Sequence, residues 1–258
     1  MTIDRAALSQ RLHRRVDALF QLDARGRMLA INQWDAGAPP RFFMMRTPFG
    51  AICRWRADVP DGVAARLEAL AAHEPALDLH VTMPTGAARA AAPPGDAAFA
   101  LPAAYGQYLA ALGEQGRVEK IWAGPAYMLL EPTALVRAGP ARALILTEAT
   151  MAVLRGRFDD WIADVPHRQP FVAVVRDDLA VAVCASVRIS DAAHCAGVET
   201  HAAHRRQGYA AHAVSAWARA VTSRGAAPCY STSWDNLGSQ GVARSLAFSL
   251  VGVDFHLT

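Results

Sequence analysis

An apolar segment, a basic turn and a helical pattern follow one another directly along residues 196–221. Ala196–Thr200 is apolar and partly β-branched, which is typical of a buried strand. His204–Gly208 is polar and basic, and Ala210–Val221 carries apolar residues at helical spacing. Arg224-Gly225 then supplies a cation and a glycine suited to a helix end. The pattern predicts a strand that passes through a tight turn into a helix.

The turn between this strand and helix is suited to an anion. The first four N–H groups of a helix have no helical acceptor, and the helix dipole favours negative charge at that end. Gly208 has no Cβ to hold a ligand away from the backbone, and Arg205 and Arg206 add positive charge. Two interpretations remain open on these residues alone: a phosphate or pyrophosphate site, or an ordinary strand–turn–helix with a solvated basic turn.

Composition restricts the classes of protein that the chain can belong to. The 258 residues are 53% hydrophobic and 19% charged, which favours a folded chain of one large domain or two smaller ones. A formal net charge of +3 gives no reason to expect a nucleic-acid partner. Arg11, Arg14 and Arg15 share one predicted helix, and we expect them to form a solvated face.

Cysteine spacing and hydropathy point to a soluble chain in a reducing compartment. None of the four cysteines lies in a C-x-x-C pair, so a structural zinc site is not expected, and we expect no metal. The N-terminus has no apolar signal-peptide core, and the longest apolar run, Leu179–Val187, is too short to span a bilayer as a helix. We therefore expect a cytoplasmic protein with no membrane partner, either a monomer or a homodimer.

Residues 1–140 read as an α+β region. Helices are predicted at 4–20, from Asp61, which we expect to cap its helix, and at Ala103–Gln115. Strands are predicted at Met28–Ile31, as a hairpin at 41–55, and at Leu79–Met83. Gly124-Pro125 is expected to divide Val118–Leu130 into two short strands, and Pro84–Pro102 reads as a linker because it is rich in Ala, Pro and Gly.

From residue 141 the order of elements is clearer. The pattern predicts a mixed α/β fold that begins with antiparallel strands. Besides the strand and helix described above, the predicted elements are a strand at Ala143–Leu146, a helix at Glu148–Ile162, a hairpin at 171–189 around Asp177-Asp178, a strand at Pro228–Thr232, a helix at Asp235–Phe248 and a strand at Val251–Leu257.

This order and its motifs resemble the GCN5-related N-acetyltransferase (GNAT) superfamily over residues 141–258. Residues 205–210, Arg-Arg-Gln-Gly-Tyr-Ala, match its Q/R-x-x-G-x-G/A acetyl-CoA motif. Residues 231–248 resemble its closing helix, with Ala247 where glycine is usual. The resemblance implies a mixed, mainly antiparallel sheet flanked by helices. It is closest to a two-part bacterial branch, in which residues 1–140 would be an α+β auxiliary domain and a degenerate half of the same fold.

The resemblance also implies a co-substrate, acetyl-CoA, and the residues that bind it. Its pyrophosphate would lie on the turn, and its pantetheine arm would pair with the preceding strand and contact an asparagine. The implied binding residues are Val198, Thr200, Arg205, Arg206, Gln207, Gly208, Tyr209, Ala210 and Asn236. Asn236 has a second interpretation as a helix N-cap.

The proton-transfer residues are less well defined. Glu199 is the first candidate for the general base, because a carboxylate within an apolar strand is costly unless it faces a polar cleft. A salt bridge to Arg205 or Arg206 is the alternative explanation. His201 and His204 are further candidates, since an ordinary histidine pKa suits base catalysis near neutrality, although each could be a solvated turn residue.

A proton donor for the leaving thiolate is missing from its usual place. Many members of the superfamily have a tyrosine seven residues after the asparagine, where this chain has Ala243. Tyr230 and Ser239 are the candidate replacements, although Tyr230 could also be a core aromatic residue with its hydroxyl at the rim. The predicted function is acetyl transfer to the amine of a small or amino-acid-like molecule. Ala243 keeps open the alternative of a non-catalytic acyl-CoA-binding or regulatory module.

Overall fold

The computed structural model of the protein describes residues 4–78, 101–135 and 142–258. The helices in these ranges are α1 Arg5–Asp17, α2 Asp61–Ala71, α3 Tyr105–Gly113, α4 Tyr209–Thr222 and α5 Leu237–Ser245. The strands are β1 Phe20–Leu22, β2 Met28–Ile31, β3 Phe42–Thr47, β4 Gly50–Trp55, β5 Ile121–Met128, β6 Arg142–Ile145, β7 Phe171–Arg176, β8 Leu179–Ile189, β9 Ala193–Thr200, β10 Ala227–Ser231 and β11 Ser249–Leu257.

Nine of these strands form one sheet in the order β4-β3-β11-β5-β10-β9-β8-β7-β6. Only β9 and β10 pair in parallel among the described strands, and the other neighbours are antiparallel. β1 and β2 form a separate antiparallel pair. The predicted fold class, a mixed and mainly antiparallel sheet flanked by helices, is confirmed.

Strands from both halves of the sequence interleave in the large sheet. β5 lies between β10 and β11 and pairs antiparallel with both, with Tyr127 opposite Tyr230 and Ala123 opposite Phe255. The sheet is therefore continuous between residues before and after 140. The division at residue 140 itself falls among residues 136–141, outside the described ranges, and stays a prediction. The strand predicted at 79–83 and most of the linker predicted at 84–102 also lie outside them.

Alternation along β8 defines the two faces of the sheet, because successive side chains of a strand point to opposite faces. Ala182 and Cys184 pack in one apolar cluster with Trp217 of α4. Val183 and Ala185 pack in another cluster with Leu154 and Phe158. Helix α4 therefore covers one face, and the residues before β7 cover the other. On this second face α1 packs in a cluster with Cys195 of β9 and Cys229 of β10.

Two predicted elements take a different form. The prediction of a helix at Glu148–Ile162 is wrong, because the segment forms two 3₁₀ turns, Met151–Leu154 and Asp159–Asp164. Between them Gly156 has a φ of +75° and donates its N–H to the Asp159 carboxylate, which interrupts helical bonding. The apolar side chains of the segment still pack on the sheet. Their helical spacing therefore indicated their burial but not the conformation of the backbone.

The second difference concerns β5. Gly124-Pro125 does not divide it into two strands. Gly124 lies where a Cβ would be only 1.9 Å from the Thr232 carbonyl oxygen, and Thr232 N–H donates to the Pro125 carbonyl at 3.4 Å. The glycine therefore permits a close approach of two backbones.

The predicted cap of α2 is also wrong. Asp61 is the first residue of α2, with Pro60 at the N-cap position, so Asp61 does not cap the helix.

The prediction that Arg11, Arg14 and Arg15 form a solvated face of α1 is also wrong in part. Arg15 is fully buried and forms a two-bond ion pair with Asp254 of β11, with N–O distances of 2.9 and 2.6 Å. Arg11 donates to the carbonyls of Leu129 and Leu130 at 3.2 Å. A buried guanidinium needs such a partner, because burial without one is strongly unfavourable. The pair attaches α1 to the sheet.

We predict that Asp254→Asn destabilises the protein strongly, because it leaves the Arg15 charge buried without a counter-charge. Breaking a buried pair from one side costs about 3–5 kcal/mol of unfolding free energy. Urea denaturation followed by far-UV circular dichroism measures it. Glu114→Gln is the control, since its pair with Arg66 is exposed and should leave the midpoint unchanged. An Asp254→Asn midpoint within error of the unmodified protein contradicts the prediction.

A second buried polar group makes stability depend on pH. His194 of β9 has its Nδ1 2.9 Å from Ser186 Oγ, which also accepts from Trp217 Nε1 at 3.0 Å. The indole N–H donates to the serine oxygen, and Ser186 Oγ and His194 Nδ1 share a hydrogen bond whose direction depends on the tautomer of the imidazole. Burial, and to a lesser extent the Arg224 charge, lower the pKa of His194 from 6.5 to about 4.

We predict that this histidine destabilises the fold below pH 6.5. Between its unfolded pKa of 6.5 and its folded pKa of about 4, the unfolded chain binds the extra proton, so stability falls as the pH falls. By pH 5 the loss amounts to about 2 kcal/mol. Urea midpoints at pH 7 and pH 5 measure it, and His194→Gln should show a smaller decrease between the two. Equal decreases in the two proteins would exclude this role.

Candidate active site

Two residues in the turn between β9 and α4 have a left-handed backbone conformation. β9 ends at Thr200, a 3₁₀ turn spans Ala202–His204, and α4 begins at Tyr209. Arg206 has a φ of 60° and Gly208 a φ of 82°. A strand–turn–helix unit was predicted here and is present, with the strand three residues longer at its start. Gly208 occupies the N-cap position, where a side chain would be strained.

The start of α4 presents a row of backbone donors without acceptors. His212 N–H makes the first helical bond, to the Gly208 carbonyl at 3.1 Å. The N–H groups of residues 208–211 therefore have no acceptor in the helix, and no side chain caps it. A Cβ at Gly208 would meet no atom within 4 Å, so the space outside the turn is open. This geometry suits an anion held by backbone N–H groups.

Charged side chains surround this row of donors. Arg205 and Arg206 are exposed, and Arg205 Nε donates to the Thr200 carbonyl at 3.3 Å. Tyr209 accepts a hydrogen bond from Arg176 at 2.9 Å through its hydroxyl. Arg176, at the β7–β8 turn, was not among the predicted site residues, because no local pattern links it to a residue 33 positions later.

One edge of β9 is open beyond Cys195. The parallel ladder between β9 and β10 covers Ala193–Cys195 and Ala227–Cys229 within the described residues. His201 N–H donates to the Val181 carbonyl. Because antiparallel bonds alternate between the two edges of a strand, the N–H groups of Val198 and Thr200 point away from β8, toward the open edge. They are available to a ligand that lies alongside the strand.

Glu199 lies on the face of β9 opposite α4. It is exposed, and its Oε2 accepts a hydrogen bond from Trp161 Nε1 at 2.6 Å. The expected cost of a buried carboxylate therefore does not arise. Among the described ion pairs, Glu199 has none with Arg205 or Arg206. Trp161 lies in the segment predicted as a helix, and its contact with Glu199 is a finding of the structure.

The two histidines of the turn differ in burial. His201 is half-buried against Phe158, at a ring-centroid distance of 6.4 Å, and its Nδ1 has no partner among the described residues. His204 packs edge-on against Tyr209 at 6.0 Å. Burial, and to a lesser extent Arg157, lower the pKa of His204 below its ordinary value.

The proposed proton donors are in direct contact. The hydroxyls of Tyr230 and Ser239 lie 2.5 Å apart, although one residue is on β10 and the other on α5. Tyr230 is buried, and burial raises the pKa of its hydroxyl to about 12. Asn236 accepts a hydrogen bond from Ser239 N–H at 3.0 Å and so caps α5. Ala243 is fully buried in the apolar cluster that contains Tyr230.

Ala247 follows the end of α5 with a φ of 62°. This left-handed conformation explains why glycine is favoured at that position, since glycine adopts it without a steric penalty. The N–H of Ala247 donates to the Arg244 carbonyl, and the N–H of Phe248 donates to the Ala243 carbonyl. The chain therefore reverses into β11 with alanine at this position.

A family model matches the part of the chain that contains this site. Residues 170–253 match the family model described as GNAT acetyltransferase. No curated protein matches the chain. Similar solved structures include a GNAT-family acetyltransferase from Novosphingobium aromaticivorans, with 19% identity, 55% of this chain and 66% of that chain covered, and a TM-score of 0.44.

Two further structures are similar in the same range. An acetyltransferase of the GNAT family from Colwellia psychrerythraea has 15% identity, a TM-score of 0.42, and coverage of 60% of this chain and 63% of its own. A GCN5-related N-acetyltransferase from Kribbella flavida has 24% identity, a TM-score of 0.42, and coverage of 57% and 62%. The chain thus spans slightly less than two thirds of each of these three proteins.

In the described ranges, no helix is both long enough and apolar enough to cross a membrane. The family match begins just before β7 and ends within β11, so it includes β9, the turn with its unbonded N–H groups, α4 and the Tyr230–Ser239 pair. Residues 170–253, which contain these elements, match the GNAT acetyltransferase family model.

Proposed function

We propose that the protein transfers an acetyl group from acetyl-CoA to the amine of a small or amino-acid-like molecule. The observation that carries the proposal is the row of unbonded N–H groups at residues 208–211, at the start of a helix that directly follows an open strand edge. The backbone N–H groups of residues 206–210 would bind the pyrophosphate. Arg205 and Arg206 would add attraction for its charge.

The open edge of β9 suits the pantetheine arm. The N–H groups of Val198 and Thr200 point toward it, and an amide-bearing arm can pair with them as an additional strand would. The Val198 N–H is also a candidate donor to the thioester carbonyl oxygen, where negative charge develops during acyl transfer. Asn236 uses its oxygen to cap α5 and keeps its amide nitrogen for a ligand.

Two of the proton transfers in the reaction involve candidate residues of the site. The acceptor ammonium must lose a proton before its nitrogen attacks, and we assign this to Glu199, directly or through a water molecule. His201 and His204 remain alternative bases. The departing thiolate gains a proton, and we assign its supply to Tyr230 or Ser239. A Tyr230 pKa of about 12 keeps its hydroxyl protonated near neutral pH.

A non-catalytic acyl-CoA-binding module is the second candidate, and the fully buried Ala243 is the observation that favours it. Release of CoA from acetyl-CoA, measured with a panel of primary amines, distinguishes the two functions. An acetyltransferase releases CoA in proportion to the amine consumed. A binding module binds acetyl-CoA without turnover above its hydrolysis.

We predict that Gly208→Glu abolishes acetyl-CoA binding. The added carboxylate would occupy the space of the pyrophosphate and repel its charge. Isothermal titration calorimetry with acetyl-CoA and CoA measures the effect. Gly225→Glu is a matched control: Gly225 also has a left-handed φ, of +81°, and open space around it, but it lies past the other end of α4. Unchanged affinity in Gly208→Glu refutes the pyrophosphate position, and absence of binding by the unmodified protein at millimolar ligand refutes the co-substrate.

We predict that Tyr230→Phe and Ser239→Ala each lower kcat while leaving the affinity for acetyl-CoA within about threefold. General acid catalysis typically contributes about 10²–10⁴-fold, so the residue that donates the proton should show a loss of that order, and its partner a smaller one. Steady-state kinetics at saturating acetyl-CoA measures both. Tyr105→Phe, in α3, should have no effect. Full kcat in both variants would exclude this pair as the donor.

A further inference from the structure

A cavity of about 220 Å³ lies between the two halves of the sequence, on the face of the sheet opposite α4. Residues that follow β2 form one wall, and residues before β7 and at the end of β8 form the rest. The lining residues are Asn32, Gln33, Trp34, His167, Arg168, Ser186, Val187 and Ile189. Typical small-molecule pockets are about 300–1,000 Å³, so this cavity would hold a small ligand or part of one.

The wall formed by residues 32–34 is attached at three points. Asn32 donates to the Ile189 carbonyl at 2.8 Å, and Gln33 accepts from Arg188 at 2.8 Å. The Trp34 indole stacks on His167 at a centroid distance of 4.5 Å, and its Nε1 donates to Asp164 at 2.7 Å. These contacts hold the segment in a defined position against β8.

Arg168 is the charged group that lines this cavity. Its Nε lies 3.1 Å from Asp164 Oδ1, the oxygen that also accepts from Trp34. No acceptor for its two terminal nitrogens lies among the described residues. Its side chain is 19% exposed, so these nitrogens remain accessible. A guanidinium with two free N–H groups in one plane matches the geometry of a carboxylate.

One aromatic ring separates Arg168 from the proposed catalytic base. The Arg168 guanidinium lies over the Trp161 ring, 5.4 Å from its centroid, and Trp161 Nε1 donates to Glu199 at 2.6 Å. Gly197 makes this arrangement possible, since a Cβ there would lie 2.3 Å from Val187 Cγ1 and 3.2 Å from the Trp161 ring. A cation and a carboxylate thus flank a single indole beside β9.

We propose that the acetyl acceptor is an amino acid, whose carboxylate binds Arg168 in this cavity and whose amine lies at Glu199. The inference rests on the proposed function. The spacing of one indole suits a molecule whose amine and carboxylate are a few bonds apart. Trp34, His167 and Val187 offer an aromatic and apolar wall to its side chain.

The reaction balances for such an acceptor. The amine nitrogen forms a bond to the thioester carbonyl carbon as the carbon–sulfur bond breaks. The ammonium nitrogen loses one proton to Glu199 before it attacks and a second as the tetrahedral intermediate collapses. The sulfur leaves as a thiolate and gains one proton, so one proton in total is released to solvent. The products are an N-acetylamino acid and CoA, and the carboxylate on Arg168 takes no part in the bond changes.

Matched pairs of acceptors test the proposal. We compare kcat/KM for phenylalanine with phenethylamine, and for leucine with isoamylamine, in the unmodified protein, Arg168→Gln and Arg168→Lys. We expect the unmodified protein to prefer the amino acid of each pair. Arg168→Gln should lower kcat/KM for the amino acids by about 10–100-fold, because a hydrogen bond to a charged group is lost, and leave the amines within about threefold. Arg168→Lys should restore part of the loss, and the exposed Arg155→Gln should have no effect. Equal use of amines and amino acids by the unmodified protein overturns the proposal.

Direct binding separates this inference from the proposed function. We titrate N-acetylphenylalanine and its uncharged amide into the unmodified protein and Arg168→Gln, and compare their far-UV circular dichroism to verify folding. The acetyl-CoA affinity of both proteins is measured separately. Arg168-dependent binding of the acid alone supports the cavity as a carboxylate site, even if acetyl-CoA fails to bind and the proposed function falls. Acetyl-CoA binding without any preference for the acid leaves the proposed function intact and overturns the cavity assignment.

Discussion

The candidate site depends on where the parallel pairing of β9 and β10 stops. β9 stays bonded to β8 as far as Thr200, while β10 stays bonded to β5 as far as Ser231. Since the two strands share a ladder only as far as Cys195 and Cys229, each follows a different neighbour afterwards. The separation exposes the N–H groups of Val198 and Thr200 beside the start of α4. The unpaired edge is therefore a consequence of this change in strand pairing, and it lies beside the free N–H groups that any helix start presents.

That separation needs β5, which comes from the first half of the sequence. β5 holds β10 on one side and β11 on the other, and Gly124 lets the backbone of Thr232 come close to it. The buried Arg15–Asp254 pair then attaches α1 to β11. The N-terminal half thus supports the site structurally, through β5, α1 and the wall at residues 32–34. A family match that begins at residue 170 does not include any of these elements.

Local patterns in the sequence were enough to predict the strand–turn–helix unit, the β7–β8 hairpin and the α5–β11 end of the fold. Each of these depends on spacing within about 15 residues, where periodicity and turn residues are informative. The position of β5 in the sheet could not be predicted, because its pairing with strands about 100 residues later leaves no local pattern in the sequence. The same limit applies to Trp161 with Glu199, 38 positions apart, and to Arg15 with Asp254. The position of Arg15 in the helical pattern does not distinguish it from a solvated residue. Its distant partner, Asp254, accounts for its burial.

The absence of a tyrosine at position 243 is easier to understand from the geometry of α5. Ser239 and Ala243 are four residues apart on this helix and so lie on the same face, one turn from each other. Tyr230 reaches Ser239 from β10, and its ring lies in the apolar cluster that also contains Ala243. The Tyr230 hydroxyl of β10 therefore reaches this face of α5, while the small side chain of Ala243 packs in the same cluster. In the proposed function, the proton donor is therefore the Tyr230–Ser239 pair, which joins β10 to α5. Because the Tyr230 hydroxyl is buried and bonded to Ser239, a proton would reach the leaving sulfur most directly through the serine, which lies nearer the surface.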